Sequence, residues 1–174
     1  YVGTKTNTGT EVEKAGLMNG TLSFVTVTGN PKEIVDTATR ATSIANGARF
    51  TLSSVGTTFS RPEDGAWNPL DPRQYYFVTT DQLDSKGLGL GTAVGRTRLW
   101  RLTFDDLSRP ELGGVVHLLL EGGVGNDATM WDNLTVTGSG KLILQEDPGN
   151  SQHNAKVWSY DPMTKELKKL LQHD

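Results

Sequence analysis

Apolar residues from about position 64 onward alternate with polar ones over short spans, and the spans recur in fours. "YYFVTT", "TRLWRLTF" and "GVVHLLLE" follow the start "EDGAW"; further on, "WDNLTVT", "LILQE", "AKVWSY" and "ELKKLLQ" repeat the order. Period-two alternation over such lengths predicts half-buried strands. In the first unit they fall near 64–68, 74–80, 96–104 and 114–120; in the second, near 132–137, 141–146, 155–160 and 166–171. The turns agree: "GSG" at 138–140 and "DPMTKE" at 161–166 are tight-turn sequences between alternating runs.

Laid over each other, the units match Asp64 with Asp132, Asp81 with Asp147 and Trp100 with Trp158, at offsets of 68, 66 and 58 residues. The offset drops because the first unit carries the longer loop "QLDSKGLGLGTAVG". Four-strand units repeating at this spacing predict β-propeller blades. At the start, "YVGT" and "GTLSFVTVTG" read as the third and fourth strands of a preceding blade. Residues 31–47, "PKEIVDTATRATSIANG", read as a short helical insertion, with Pro31 at a first helical position. The expected fold is therefore all-β: a β-propeller fragment of about two and a half four-stranded blades, divided 1–30, 31–47, 48–122 and 123–174. A set this small leaves sheet edges open, so it belongs to a larger ring or pairs with another chain.

Composition narrows the function. The chain has 174 residues, 20 glycines and a formal net charge of −3, which argues against a nucleic-acid partner. No apolar run approaches a membrane span. With no cysteine there are no disulfides, no thiolate catalysis and no Cys-based metal site. The start at Tyr1, without methionine or signal peptide, and the end at "LLQHD" predict an excised or processed piece.

The candidate chemistry is acidic. In a propeller the innermost strands line the channel, and the repeat places Glu63, Asp64, Asp81, Asp132, Glu146 and Asp147 at strand ends that can converge on one mouth. Carboxylates brought together repel unless a cation neutralises them, which points to Ca²⁺, Mg²⁺ or iron in an oxygen-rich site. The competing reading is that Asp at strand ends caps nearby backbone N–H groups. Arg61 and Pro62 give Glu63 a rigid, charge-complemented setting. His117, His153 and His173 form no paired metal motif, and "GLGLGTAVG" lacks the lysine of a phosphate-binding loop and reads as a flexible loop. Trp100 and Trp158 read as core.

"AGLMNGTLSFVTV", "FSRPEDGAWNPLDPRQYYFVTTD", "GRTRLWRLTFDD", "DNLTVTGSGKLILQEDPGN" and "AKVWSYDPMTKELKKLLQHD" together resemble, in that order, the bacterial proteins related to PhoX-type alkaline phosphatases, and more nearly their phytase-like branch. The resemblance covers nearly the whole chain. It implies an exported, calcium-dependent propeller, periplasmic, secreted or at the cell surface, whose relatives hydrolyse phosphate monoesters at iron and calcium ions in the channel. It also implies that Glu63, in Arg-Pro-Glu, is a metal ligand, with Asp132, Glu146 and Asp147 corresponding to later ligands. The phosphatases' cysteine iron ligand has no counterpart here, and Asp64-Gly65-Ala66-Trp67 follows the glutamate where those enzymes have an aromatic residue. The expected activity is metal-dependent phosphoric monoester hydrolysis, with Arg61 offsetting phosphate charge. Its expected cofactors are calcium and, as a second candidate, iron; its expected partners are the remaining blades of the same protein. The rival expectation is a non-catalytic, calcium-stabilised propeller for binding or cell-surface architecture.

Overall fold

The computed structural model describes residues 2–3, 5–36, 38–81, 96–123, 125–147 and 154–173. Among them the fold is all-β and propeller-like. Both repeat units appear as four-stranded antiparallel meanders. The first comprises β3 (Pro62–Trp67), β4 (Gln74–Thr79), β5 (Arg98–Phe104) and β6 (Gly114–Glu121); the second comprises β7 (Trp131–Val136), β8 (Leu142–Glu146), β9 (Lys156–Asp161) and β10 (Glu166–Gln172). The loop 82–95, the end of "DPGN" and His153 lie outside the described residues.

The two meanders pack face to face. Tyr76, Val78 and Leu99 of the first meet Trp131, Leu134, Leu142, Leu144, Trp158 and Tyr160 of the second in one buried cluster. Three hydrogen bonds pin the contact: Leu134 N–H to Asp64 Oδ2 (3.0 Å), Trp131 N–H to Thr97 Oγ1 (3.0 Å) and the Tyr160 hydroxyl to the Leu119 carbonyl (3.3 Å). The opposite face of the first meander holds a second cluster, with Trp100 under Phe77 and Leu102 beside Phe50, Phe104 and Val116. Both repeat-matched tryptophans are core, and each fixes its indole N–H, Trp100 on Thr79 Oγ1 (3.2 Å) and Trp158 on Glu146 Oε1 (2.8 Å).

The N-terminal third differs from expectation. Val2 does bridge antiparallel to Thr21, but β1 (Phe24–Val27) then pairs with β2 (Ala48–Ser53), and β2 pairs with β6. These strands extend the outer edge of the first meander into a six-stranded sheet, order β1-β2-β6-β5-β4-β3. The join is close: a Cβ on Gly113 would lie 1.8 Å from the Phe50 carbonyl oxygen, and Gly113 has φ 72°. No helix forms in 31–36 or 38–47; the short helix, α1, spans Glu11–Lys14 instead. There Thr10 and Glu13 complete a capping box. In 31–47 local side chains take the backbone away from a helix. Asp36 accepts the N–H groups of Ala38 and Thr39, while the Ser43 hydroxyl donates to the Lys32 carbonyl at 2.7 Å. Glu33 is drawn into the interior, where it accepts from Arg98 Nη1 at 2.8 Å.

Candidate functional site at the inner strands

Each inner strand is entered through a left-handed residue, Arg61 (φ 55°) before β3 and Met130 (φ 48°) before β7. Each then carries an irregularity in its pairing, between Pro62 and Gly65 and between Trp131 and Asn133. Beyond it the ladders superimpose: Gly65 opposes Phe77 as Leu134 opposes Leu144, and Trp67 opposes Tyr75 as Val136 opposes Leu142. Counting back, Glu63 falls on Asp132 and Asp64 on Asn133, while Thr80 falls on Asp147. The sequence match of Asp64 with Asp132 and of Asp81 with Asp147 is thus one residue out of register; Trp100 and Trp158 match as expected, opposite Phe77 and Leu144. The bulges hid the shift, because an irregular strand breaks the period on which side-chain facing is read.

Glu63, Asp64, Asp132 and Asn133 line one open recess of about 270 Å³ between the two inner strands. Glu63 is exposed, paired with Arg61 Nη2 at 3.6 Å and accepting from the Thr80 hydroxyl at 3.2 Å. Arg61 Nη1 also donates to the Asp81 carbonyl at 3.3 Å, which holds the guanidinium beside the recess. Asp132 accepts from the Asn133 amide at 2.9 Å. Asp64 is occupied differently: its carboxylate accepts the N–H groups of Gly65 (2.7 Å) and, across the sheets, Leu134. Gly65 is small for a reason, since a Cβ there would come within 2.2 Å of the Tyr75 hydroxyl.

Of the other carboxylates expected at the mouth, Glu146 and Asp81 are buried, and neither they nor Asp147 line this recess. Glu146 is buried and accepts the N–H groups of Thr129 (2.8 Å), Lys156 (3.0 Å) and the Trp158 indole, with Lys156 Nζ at 3.8 Å. Burial pushes its pKa up against those bonds. Asp147 is exposed, and its own N–H donates to the Met130 carbonyl at 3.0 Å, closing the entry to β7. Asp81 is fully buried with φ 56°, salt-bridged to Arg40, and accepting from the Ser60 hydroxyl (2.8 Å) and the Arg96 N–H (3.3 Å). Glu33 belongs to the same ionic cluster through Arg98, and burial raises its pKa. Arg98 is the ladder counterpart of Lys156, so Arg98–Glu33 repeats Lys156–Glu146 with a carboxylate borrowed from the 31–47 segment. Sequence reasoning missed Glu33 and Arg40 because no repeat marks them; the match of Arg98 with Lys156 was the available signal.

Among the described residues, no three His, Cys, Asp or Glu side chains stand together closely enough to hold a metal ion. A scan of protein-family models, a search of curated proteins and a search of solved structures each returned no match.

Proposed function

We propose that this chain is one sector of a metal-dependent phosphoric-ester hydrolase of the exported, PhoX-like and phytase-like kind, and that Glu63 and Asp132 are its contribution to the cation site. One observation carries the reading: two carboxylates at the same position of successive inner strands open on the same recess. Inner strands surround the axis of a propeller, so the entries of successive inner strands lie around its channel.

The donors suit a hard cation in kind, being carboxylate and amide oxygens with no sulfur or imidazole. In number they form part of a coordination sphere, which calcium fills with six to eight oxygens. The remaining blades and the substrate's phosphate oxygens complete it. When bound, calcium, or iron with it, supplies positive charge that polarises the phosphorus. The chain's own residues bind and orient. Arg61, held by the Asp81 carbonyl and by Glu63, presents a guanidinium to the phosphate's developing charge. Thr80 orients the Glu63 carboxylate through its hydroxyl. Asp64 holds β3 against β7 through the Gly65 and Leu134 N–H groups, while among the described residues Glu63 and Asp132 accept no backbone N–H.

That same engagement of Asp64 favours a second reading, a calcium-stabilised propeller that binds without catalysing. Hydrolysis of p-nitrophenyl phosphate by the purified protein, with calcium and iron added, separates the two. The hydrolase reading expects turnover that disappears in Glu63→Gln. Calcium binding without turnover selects the second reading, and the absence of both removes the cation site altogether. Among the described residues no helix is long and apolar enough to cross a membrane.

A further inference from the structure

His117 of β6 stands directly opposite Arg101 of β5, and Arg101 stands opposite Tyr76 of β4. On both sides of this row, neighbours Val116, Leu118, Trp100 and Leu102 point into the cluster on the other face of the sheet. Alternation therefore turns His117 and Arg101 toward the second meander. Two atoms in the row are shut off from solvent without a hydrogen-bond partner, His117 Nδ1 and Arg101 Nε. Across the gap, Tyr160 of β9 donates its hydroxyl to the Leu119 carbonyl and lies close enough to Arg101 to feel its charge.

We propose that the His117–Arg101 pair makes the face of the first sheet that meets the second meander acid-sensitive: stable while the imidazole is neutral, and weakened when it takes a second proton beside a guanidinium. The surroundings leave that second charge uncompensated. On β5 the facing charge is Arg101, on β4 and β9 the facing titratable groups are Tyr76 and Tyr160, and on β2 the next position along, Arg49, is already tied to Asp105 at 2.6 Å. Just before β2, Gly47 brings no side chain; a Cβ there would lie 4.0 Å from His117 Nε2. Asp71 and Asp161 act on the two tyrosines, and among the described residues no carboxylate acts on the imidazole. Burial first, and Arg101 second, hold the His117 pKa below its ordinary value.

The sign follows. A histidine harder to protonate folded than unfolded contributes stability that is complete above its ordinary pKa of about 6.5 and is lost as pH falls through that value toward the folded one. Thermal unfolding of the full chain, wild type beside His117→Gln, at about pH 7.5 and about pH 5.5, reads this out. The wild type loses more melting temperature than the variant on acidification; equal losses overturn the proposal. If the variant does not fold, an NMR titration of the wild-type imidazole decides instead, since a midpoint at or above the ordinary value overturns it. Hydrogen exchange locates the effect: at the lower pH the β8 and β9 amides exchange faster in the wild type than in the variant, and exchange unchanged there overturns the assignment to the sheet contact.

Discussion

Glu33 and Glu146 do the same work in two places: each is buried, takes backbone N–H donors and faces a buried cation on the third strand of its meander. Replacing Glu146 by Ala leaves three N–H groups without their acceptor and Lys156 with Asp127 as its remaining acidic partner, and a loss of about 3–5 kcal/mol is expected from denaturant unfolding. Their raised pKa values carry a sign opposite to that of His117. A carboxyl whose folded pKa is raised contributes stability that is complete below its ordinary value of about 4.5 and is lost as pH rises through the folded pKa. In Glu146→Gln that component is absent, so the stability difference between wild type and variant shifts in favour of the wild type as pH falls toward 4.5. A difference that is flat with pH would count against burial as the cause. Sequence could name Glu146 as an acid at a strand end. It could not tell the inside of the sheet from the channel mouth, because one pleat separates them.

At the scale of elements, the eight strands of the two meanders were legible from alternation and turn residues, to within about two residues at their ends. The failures have separate local causes. Asp36 and Ser43 break the helix that the composition of 31–47 suggests, and the bulged starts of β3 and β7 displace the acidic residues by one position. The joining of β2 to β6 was invisible because it rests on Gly113, whose missing side chain leaves room for the Phe50 carbonyl. Gly113→Ala adds a methyl into that backbone and forces an alanine to φ 72°. We expect it to cost about 2 kcal/mol or more, measured by thermal unfolding, as overpacking and backbone strain combine. A neutral result would mean that β2 does not sit against β6 as described.

At the scale of the molecule, the two meanders are held in the relation that makes one recess of two inner strands. Asp64 is one of the polar links in that relation, with its carboxylate on Leu134 N–H, and the apolar cluster around Trp131 and Trp158 is the bulk of it. Asp64→Ala strands the Leu134 N–H at the contact and is expected to destabilise by about 1–3 kcal/mol in denaturant unfolding, while Asp64→Asn keeps part of the link. The candidate site was legible in sequence as a set of acidic strand ends. Its division into ligand candidates and structural acceptors was not, because that division depends on which carboxylates the fold has already filled.

The central claim is that Glu63 and Asp132 are the open, repeat-equivalent carboxylates of a cation site. Calorimetric titration of the purified protein with calcium tests it most directly, with Glu63→Gln, Asp132→Asn and Glu146→Gln beside the wild type. Each of the first two is expected to weaken binding by about tenfold or more, since each removes a charged ligand. Glu146→Gln keeps wild-type affinity although it alters stability. Calcium affinity indifferent to both Glu63→Gln and Asp132→Asn, or lost in a folded Glu146→Gln, contradicts the claim.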